Sequence, residues 1–246
     1  MARLIGADTS TKATGVAIYE TERPLHCAIV EQDRLRAEEL LSVMDALCKK
    51  SGCRAAEADA YVVAIGPGSF TGLRIGVTML KTMAQFTHRP IIGISTLLAL
   101  AEEGCAQQEA QYYVPIIDAR ANRIFAAAYC QKGEAMECII EEGLYTEEAL
   151  LERLNALPIE KDKPAFCWAG VGLDRHPALS AAFSIEAQRK LTGDAALSPI
   201  AAVMRLAAKR WERGDSDDVL DLAPHYLRKS QAELDRLRAK HEGRPS

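Results

Sequence analysis

The sequence predicts an α/β fold that is made of two similar halves, and three observations support this prediction. Strand-like and helix-like patterns alternate over residues 4–94, which is the order expected of an α/β protein. The polar stretch Ala101–Gln111 then separates this first unit from a new start at Tyr112. The residues after Tyr112 partly repeat the start of the chain, at an offset of 110 positions.

The elements of the first half follow one another in a regular order. The patterns predict strands and helices in the sequence Leu4–Ala7 (strand), Gly15–Tyr19 (strand), about Leu35 to Lys50 (helix), Ala60–Ile65 (strand), Ser69–Phe86 (helix) and Ile91–Ile94 (strand). Ser69 is expected to cap its helix, because a serine hydroxyl accepts a hydrogen bond from a free backbone N–H of the first turn.

The repeat places an aspartate in the same position of two hairpins. When LIGADTSTKATGVAIY is set over VPIIDARANRIFAAAY, Asp8 aligns with Asp118 and Tyr19 with Tyr129. Each copy reads as a strand, a polar turn that begins with Asp, and a second strand. Chance agreement of two amphipathic hairpins is the alternative to a true duplication. A duplicated α/β half with Asp at the first hairpin turn is the plan of the actin-like ATPase (ribonuclease H-like) fold, in which each half has a central mixed sheet and the two halves flank a nucleotide cleft.

The later part of the chain completes the second half and ends in a charged tail. A helix is predicted over Ser198–Arg213, with Ser198 as the N-cap and Pro199 at the first helical position. We therefore predict an N-terminal half over 1–104, a C-terminal half over 105–229 and a charged tail over 230–246. The last helix of the second half is free to pack back on the first half. Residues 231–246 alternate in charge and are typical of a short exposed helix that frays into a tail.

Composition and charge exclude several classes of protein. The 246 residues carry a net charge of −4 and contain no long basic block, so the chain is not expected to grip nucleic acid unaided. The longest apolar runs, such as Ala60–Gly66, are far shorter than the roughly 18 residues that span a bilayer. Asp8 interrupts the N-terminal apolar run before a signal-peptide core could form, which makes a cytoplasmic protein the expectation.

The glycine-rich segment AIGPGSFTGLRIG over Ala64–Gly76 has two interpretations. A strand, a glycine turn and a helix N-terminus together can cradle a phosphate, because free N–H groups and the helix dipole favour negative charge. The segment nevertheless matches neither the Walker pattern nor GxGxxG. The alternative, a structural turn that seats a close-packed helix, is favoured by the apolar faces of the helix that follows.

The two hairpin turns predict a degraded nucleotide site. In an actin-like kinase these turns hold phosphate oxygens and a metal-bound water through glycine-rich backbone and an Asp. Here Asp8, Thr9 and Ser10 form the first turn without a glycine, and Asp118 is followed by Ala119 and Arg120. The five histidines form no HxxxH or HExxH pair, so each is expected to be a surface or capping residue. We predict no catalytic residue and no metal site.

The two long helices of the first half carry more apolar surface than one sheet requires. Leu73, Gly76, Val77, Leu80 and Ala84 line one face of the second helix, while Ile75, Met79, Thr82 and Phe86 line another. Glycines four residues apart let another backbone approach closely. The predicted surface for a partner or a second copy comprises Leu40, Leu41, Met44, Leu47, Gly72, Ile75, Gly76 and Met79. The alternative is that both helices are enclosed within the monomer.

The order and spacing of the motifs resemble the TsaB (YeaZ) family, which was formerly labelled a glycoprotease family. The similar segments cover most of residues 2–229, and GPGSFTGLRIG followed by IDAR is the most specific of them. The resemblance implies an actin-like fold and a non-catalytic subunit of the bacterial machinery that makes threonylcarbamoyladenosine next to the anticodon of tRNAs reading codons that begin with A.

The same resemblance implies the partners of the chain. It implies a TsaD-type transferase subunit that the chain binds and activates, a TsaE-type ATPase, a homodimer when the chain is alone, and contact with tRNA only through the complex. The homodimer and the heterodimer would compete for the two helices. No cofactor is expected on the isolated chain, and a nucleotide is possible at the subunit interface. The alternatives are a stand-alone actin-fold phosphotransferase or metallopeptidase-like enzyme, and a self-sufficient homodimer with its own ligand in the domain cleft.

Overall fold

The computed structural model describes residues 2–31 and 36–227, which form two sheets of five strands each. The first sheet consists of β1 (Arg3–Asp8), β2 (Ala13–Glu20), β3 (His26–Glu31), β4 (Ala60–Gly66) and β5 (Ile91–Ser95). The second consists of β6 (Tyr112–Asp118), β7 (Ile124–Lys132), β8 (Ala135–Tyr145), β9 (Phe166–Ala169) and β10 (Gln188–Lys190). Their orders are β3-β2-β1-β4-β5 and β8-β7-β6-β9-β10.

The two sheets have the same topology, which confirms the predicted duplicated actin-like fold. In each half the first three strands form an antiparallel meander, and the last two run parallel to the first. Asp8 is the last residue of β1 and pairs with Gly15 of β2. Asp118 is the last residue of β6 and pairs with Ile124 of β7. The two aspartates that the sequence aligned therefore occupy the same place in the two halves.

Seven α-helices surround the sheets in the described part of the chain. They are α1 (Ala37–Lys50), α2 (Phe70–Thr87), α3 (Thr96–Gln107), α4 (Glu147–Asn155), α5 (Pro177–Ala181), α6 (Asp194–Leu197) and α7 (Ile200–Glu212). The two predicted helices of the first half are confirmed as α1 and α2, although Leu35 lies outside the described residues. Ser69 caps α2 as predicted, because its Oγ accepts the N–H of Gly72 at 3.2 Å. None of the helices among the described residues is long and apolar enough to cross a membrane.

The first sheet is covered on both faces. α1 and α2 pack on one face, where Leu40, Met44 and Leu80 join a cluster with side chains of β1, β2 and β4. α7 packs on the other face, where Val203 and Met204 contact side chains of β1, β2 and β5. Because both faces are buried, these strands read as nearly continuous apolar runs rather than as alternating ones.

α3 connects the two halves. It occupies most of the polar stretch 101–111, and the predicted division between residues 104 and 105 falls inside it. Its buried Leu97 and Ala101 pack against Tyr113 and Tyr129 of the second sheet. The buried Glu103 accepts a hydrogen bond from Arg205 of α7 at 3.0 Å. The start of this stretch is therefore helical and is tied to α7 through Glu103.

The start of α7 differs from the prediction. The helix begins at Ile200 with Pro199 in the N-cap position, and no side chain caps it. Ser198 was predicted to be the N-cap, and that prediction is wrong. The Ser198 hydroxyl instead donates to Asp8 at the end of β1, 2.6 Å away.

The segment 214–227, which we call the strap, leaves α7 and crosses the first sheet. The N–H of Asp217 bonds to the carbonyl of Ile91 on β5, and the Asp217 carboxylate accepts the N–H of Gly93 at 2.7 Å. Leu222 enters the core beside α1 and α2, and Lys81 of α2 donates to its carbonyl at 2.6 Å. The end of the PHYLRKS motif and the predicted tail helix lie outside the described residues.

Candidate functional site

Asp8, the first predicted phosphate-loop residue, is fully buried and its carboxylate is occupied. Oδ1 accepts hydrogen bonds from the backbone N–H of Ser10 at 3.0 Å and from its hydroxyl at 2.6 Å. Oδ2 accepts the hydroxyl of Ser198 at 2.6 Å. Burial raises the pKa of Asp8, and these hydrogen bonds oppose that rise. The carboxylate therefore holds the turn to the start of α7.

The glycine-rich segment packs directly on the same turn. A Cβ on Gly68 would lie 2.2 Å from the carbonyl oxygen of Ser10, and one on Gly72 would lie 2.0 Å from that of Thr9. The N–H of Ser69 donates to the Ser10 carbonyl at 2.7 Å, and the Thr9 hydroxyl donates to the Gly72 carbonyl at 2.8 Å. The space and the N–H that a phosphate would use are taken by the turn, so the geometry supports the structural interpretation of these glycines.

The equivalent turn of the second half is built differently. Asp118 accepts the backbone N–H of Arg120 at 2.8 Å and forms an ion pair with Arg175 at 2.9 Å. Partial burial works to raise the pKa of Asp118, but these two partners outweigh it and hold the pKa below its usual value. Arg120, Ala121 and Asn122 all have positive φ angles, of 62°, 50° and 54°. The turn is therefore held in a left-handed conformation without glycine.

A buried histidine beside Asp118 was missed by the sequence analysis. His176, which was expected to be a surface or capping residue, is only 4% exposed. Its Nδ1 lies 2.6 Å from Oε1 of Glu147, and its Nε2 lies 3.6 Å from Oδ1 of Asp118. Successive members of the cluster are 29 positions apart in sequence, at the end of β6, at the start of α4 and just before α5, so no local motif could have indicated it. Nowhere in residues 2–31 or 36–227 do three or more His, Cys, Asp or Glu side chains form a group suited to a metal ion.

Five of the eight residues predicted for a partner surface lie in the core of the chain. They are Leu40, Met44, Leu47, Gly72 and Gly76. Gly72 and Gly76 admit the backbone and side chain of Thr9, not a helix of another chain: a Cβ on Gly76 would lie 2.3 Å from the Thr9 hydroxyl. The apolar stripe of α1 is used against the first sheet. These five residues therefore offer no surface to a second molecule.

The other three predicted residues retain exposure. Leu41 is 53% exposed, and Ile75 and Met79 are half-buried against the core. The outward side of α2 adds Phe86, which is 85% exposed and is the most exposed large apolar side chain among the described residues. Thr71, Thr78 and Thr82 are also exposed on α2. We call these exposed and half-buried residues of α1 and α2 the α1/α2 face; charged side chains, among them Glu38, Asp45, Lys49 and Arg74, are exposed on the same two helices.

Comparisons with known proteins agree on one family. The family model described as TsaD, tRNA N6-adenosine threonylcarbamoyltransferase, matches residues 30–235. The tRNA threonylcarbamoyladenosine biosynthesis protein TsaB of Haemophilus influenzae is 29% identical over 92% of this chain and 93% of its own length. The TsaB protein of Escherichia coli is 25% identical over 94% and 96%.

The similarity extends to solved structures. A Pseudomonas aeruginosa protein described as similar to peptidase YeaZ superposes with a TM-score of 0.78 and 27% identity, covering 93% of this chain and all of its own. A structure of YeaZ from Pseudomonas aeruginosa gives a TM-score of 0.76 at 25% identity, covering 92% of this chain and all of its own. The match therefore spans both halves of the fold.

Proposed function

The chain belongs to the TsaD family of tRNA N6-adenosine threonylcarbamoyltransferase, as one of its TsaB (YeaZ) members, and we propose that it is a non-catalytic subunit that binds and activates a TsaD-type transferase. Its role lies in the biosynthesis of threonylcarbamoyladenosine in tRNA. In this proposal the α1/α2 face docks the transferase, and the tRNA is bound by the assembled complex. We propose that the protein acts in the cytoplasm.

An apolar helical surface supports this proposal most directly. It occurs in a chain whose phosphate-binding turn is filled by the protein's own residues. Phe86 and Leu41 expose large apolar side chains on neighbouring helices, and aromatic residues are enriched at protein interfaces. The exposed threonines of α2 are small, which lets a partner helix approach α2 closely. Such a ridge suits a helix-to-helix contact of the kind found in helix bundles.

The absence of a catalytic role is proposed from the first hairpin turn and from the arrangement of possible metal ligands. A phosphotransferase of this fold needs the first turn open and its Asp free, whereas Asp8 is fully occupied and α2 fills the turn. The metallopeptidase alternative needs a cluster of metal ligands, which the described part of the chain does not supply. Both observations support a subunit that works through its partner.

The same face is proposed to form the homodimer when the transferase is missing, so the two assemblies compete. The net charge of −4 supports tRNA binding through the complex instead of by this chain alone. A TsaE-type ATPase is the third proposed component. A nucleotide, if one binds, is proposed to lie between subunits, because the first-half loop has no room for its phosphates.

The test is to place a charge on the α1/α2 face. We expect Phe86→Asp to weaken binding to the TsaD-type protein from the same cell by at least about 2 kcal/mol, because a buried unpaired carboxylate would lie in the interface. Ile159→Asp is the matched control, since Ile159 is 48% exposed on the second half. Binding is measured by isothermal titration, and tRNA modification by the mixture is measured in parallel.

The two variants separate the possible outcomes. Weaker binding and lower modification with Phe86→Asp, and neither with Ile159→Asp, support the proposal. Unchanged binding by Phe86→Asp would show that the α1/α2 face does not dock the transferase. Modification activity from the chain without the transferase would overturn the proposed non-catalytic role.

A further inference from the structure

Glu142 of β8 is reached by side chains from three separate parts of the molecule. The hydroxyl of Ser95 donates to Oε1, and the hydroxyl of Tyr129 donates to the same oxygen at 2.6 Å. Nδ1 of His225 lies 3.5 Å from the other oxygen, Oε2. The Glu142 side chain is only 16% exposed. One largely buried carboxylate therefore accepts two hydrogen bonds on Oε1, whereas Oε2 accepts none and has His225 within ion-pair distance.

The three partners belong to the first sheet, the second sheet and the strap. Ser95 ends β5 and caps α3, where its Oγ accepts the N–H of Leu98 at 3.2 Å. Tyr129 belongs to β7 and lies in the cluster beneath α3. His225 belongs to the strap, and its backbone N–H donates to Ile65 of β4 at 2.7 Å. Glu142 thus contacts the first sheet, the second sheet and the strap.

The contacts depend on one another. Burial and the neighbouring Glu142 carboxylate raise the pKa of Tyr129, so its hydroxyl keeps its proton and stays a donor. Loss of the carboxylate would leave the hydroxyls of Tyr129 and Ser95 without their acceptor in a largely buried place, which is more costly than losing an exposed bond. Ser95 would also lose the group that orients it toward α3.

We propose that Glu142 is a latch: its carboxylate holds the first sheet, the second sheet and the strap in one arrangement, and removing it loosens all three. The latch depends on the contacts of Glu142 and not on the proposed partner. It assigns to a residue of β8 the control of two segments, the first turn of α3 and the strap, that are distant from β8 in sequence.

Hydrogen exchange of the full-length chain, followed by mass spectrometry, tests the latch. We expect Glu142→Ala to speed exchange about tenfold in β8, in the first turn of α3 and in the strap together. Glu141→Ala is the matched control, because Glu141 is the exposed neighbour on the same strand, and it is expected to leave all three segments unchanged. Faster exchange confined to β8, or no change at all, would overturn the proposal.

A milder variant covers the case in which Glu142→Ala does not fold. Tyr129→Phe removes one donor and keeps the ring in the core. A latch requires that this change also speeds exchange in the strap, which contacts Glu142 through His225 and not through Tyr129. If the effect of Tyr129→Phe stays within β7 and its two neighbouring strands, the three contacts are independent and there is no latch.

Discussion

Ser198 and Asp8 are 190 residues apart in sequence and form a buried hydrogen bond of 2.6 Å. Replacing Ser198 by Ala leaves Oδ2 of the fully buried Asp8 without its partner, so we expect a loss of about 1–3 kcal/mol in the free energy of unfolding. Ser42→Ala is the control, because the Ser42 hydroxyl is exposed and bonds only to a carbonyl of its own helix. Chemical denaturation measures both, and an equal effect of the two substitutions would contradict this role of Ser198.

The ion pairs of Glu20 predict that the stability of the protein depends on pH. Its buried carboxylate is paired with Arg3 at 2.7 Å and with Arg23 at 2.9 Å, and the hydrogen bond from Arg3 lowers its pKa below the ordinary 4.5. Because the folded pKa is the lower one, this stabilisation is complete above the ordinary value and is lost as the pH falls through the folded pKa.

The corresponding experiment compares Glu20→Gln with the unchanged chain. At pH 7 we expect the variant to be less stable by about 2 kcal/mol, because the two arginines lose their anion. The difference should shrink as the pH drops below the ordinary 4.5 toward the lower pKa of the folded state, where the wild-type carboxyl also becomes neutral. Denaturation curves at a series of pH values measure it, and a difference that is constant with pH would contradict the assignment.

Some contacts of Asp8 and Asp118 could be predicted from the sequence and others could not. The repeat correctly aligned Asp8 with Asp118, because each ends a strand before a hairpin turn. It could not show that Ser198 would take one oxygen of Asp8, nor that His176 would lie between Asp118 and Glu147. Those contacts join residues from distant elements, and only the packing of whole elements brings them together.

At the scale of elements, α2 is positioned by its glycines. A Cβ on Gly76 would lie 2.3 Å from the Thr9 hydroxyl, so Gly76→Ala should destabilise the chain by about 1–3 kcal/mol although alanine favours helices. Thr78→Ala, on the exposed side of α2, is the control and should have little effect. The double variant Thr9→Ala with Gly76→Ala should recover part of the loss, and a purely additive double variant would show that the two sites do not touch.

The helices also explain why only some residues of the predicted partner surface stay exposed. Periodicity located α1 and α2 and identified two apolar faces on α2, because the spacing of side chains on a helix is fixed. It could not say which face meets the chain's own sheet. The stripe with Leu40, Met44 and Leu47 is buried in the monomer, whereas Phe86 on the second face of α2 stays exposed. Amphipathicity does not distinguish a neighbouring element from a neighbouring molecule.

For the whole molecule, the first half is not expected to fold alone. α7 covers one face of the first sheet, and the strap closes its β5 edge. A fragment of residues 1–107 lacks both, so it should expose the apolar side chains of β1, β2 and β5 and show no cooperative thermal unfolding. Circular dichroism measures this. Fusing residues 198–227 to the fragment by a flexible linker should restore a transition, and cooperative melting of 1–107 alone would contradict the prediction.

The duplicated topology followed from the sequence, whereas the crossing of α7 from the second half to the first did not. The repeat and the strand order reflect local patterns that recur in both halves. The sequence left open where the last helix packs, because its apolar face would suit either sheet. In the structure α7 packs on the first sheet, and it approaches Gly6 of β1 so closely that an added Cβ there would lie 2.4 Å from Met204 Sδ.

The place of α7 also has a consequence for how the protein is made. Translation delivers β1 to β5 before any of α7 leaves the ribosome, and the whole second half is synthesised in between. During that time the nascent first sheet has one face without its natural cover, with Leu4, Ala17 and Ile92 open to water or to other chains. We expect this stage of synthesis to depend on ribosome-associated chaperones, because uncovered sheets of incomplete chains are prone to aggregate.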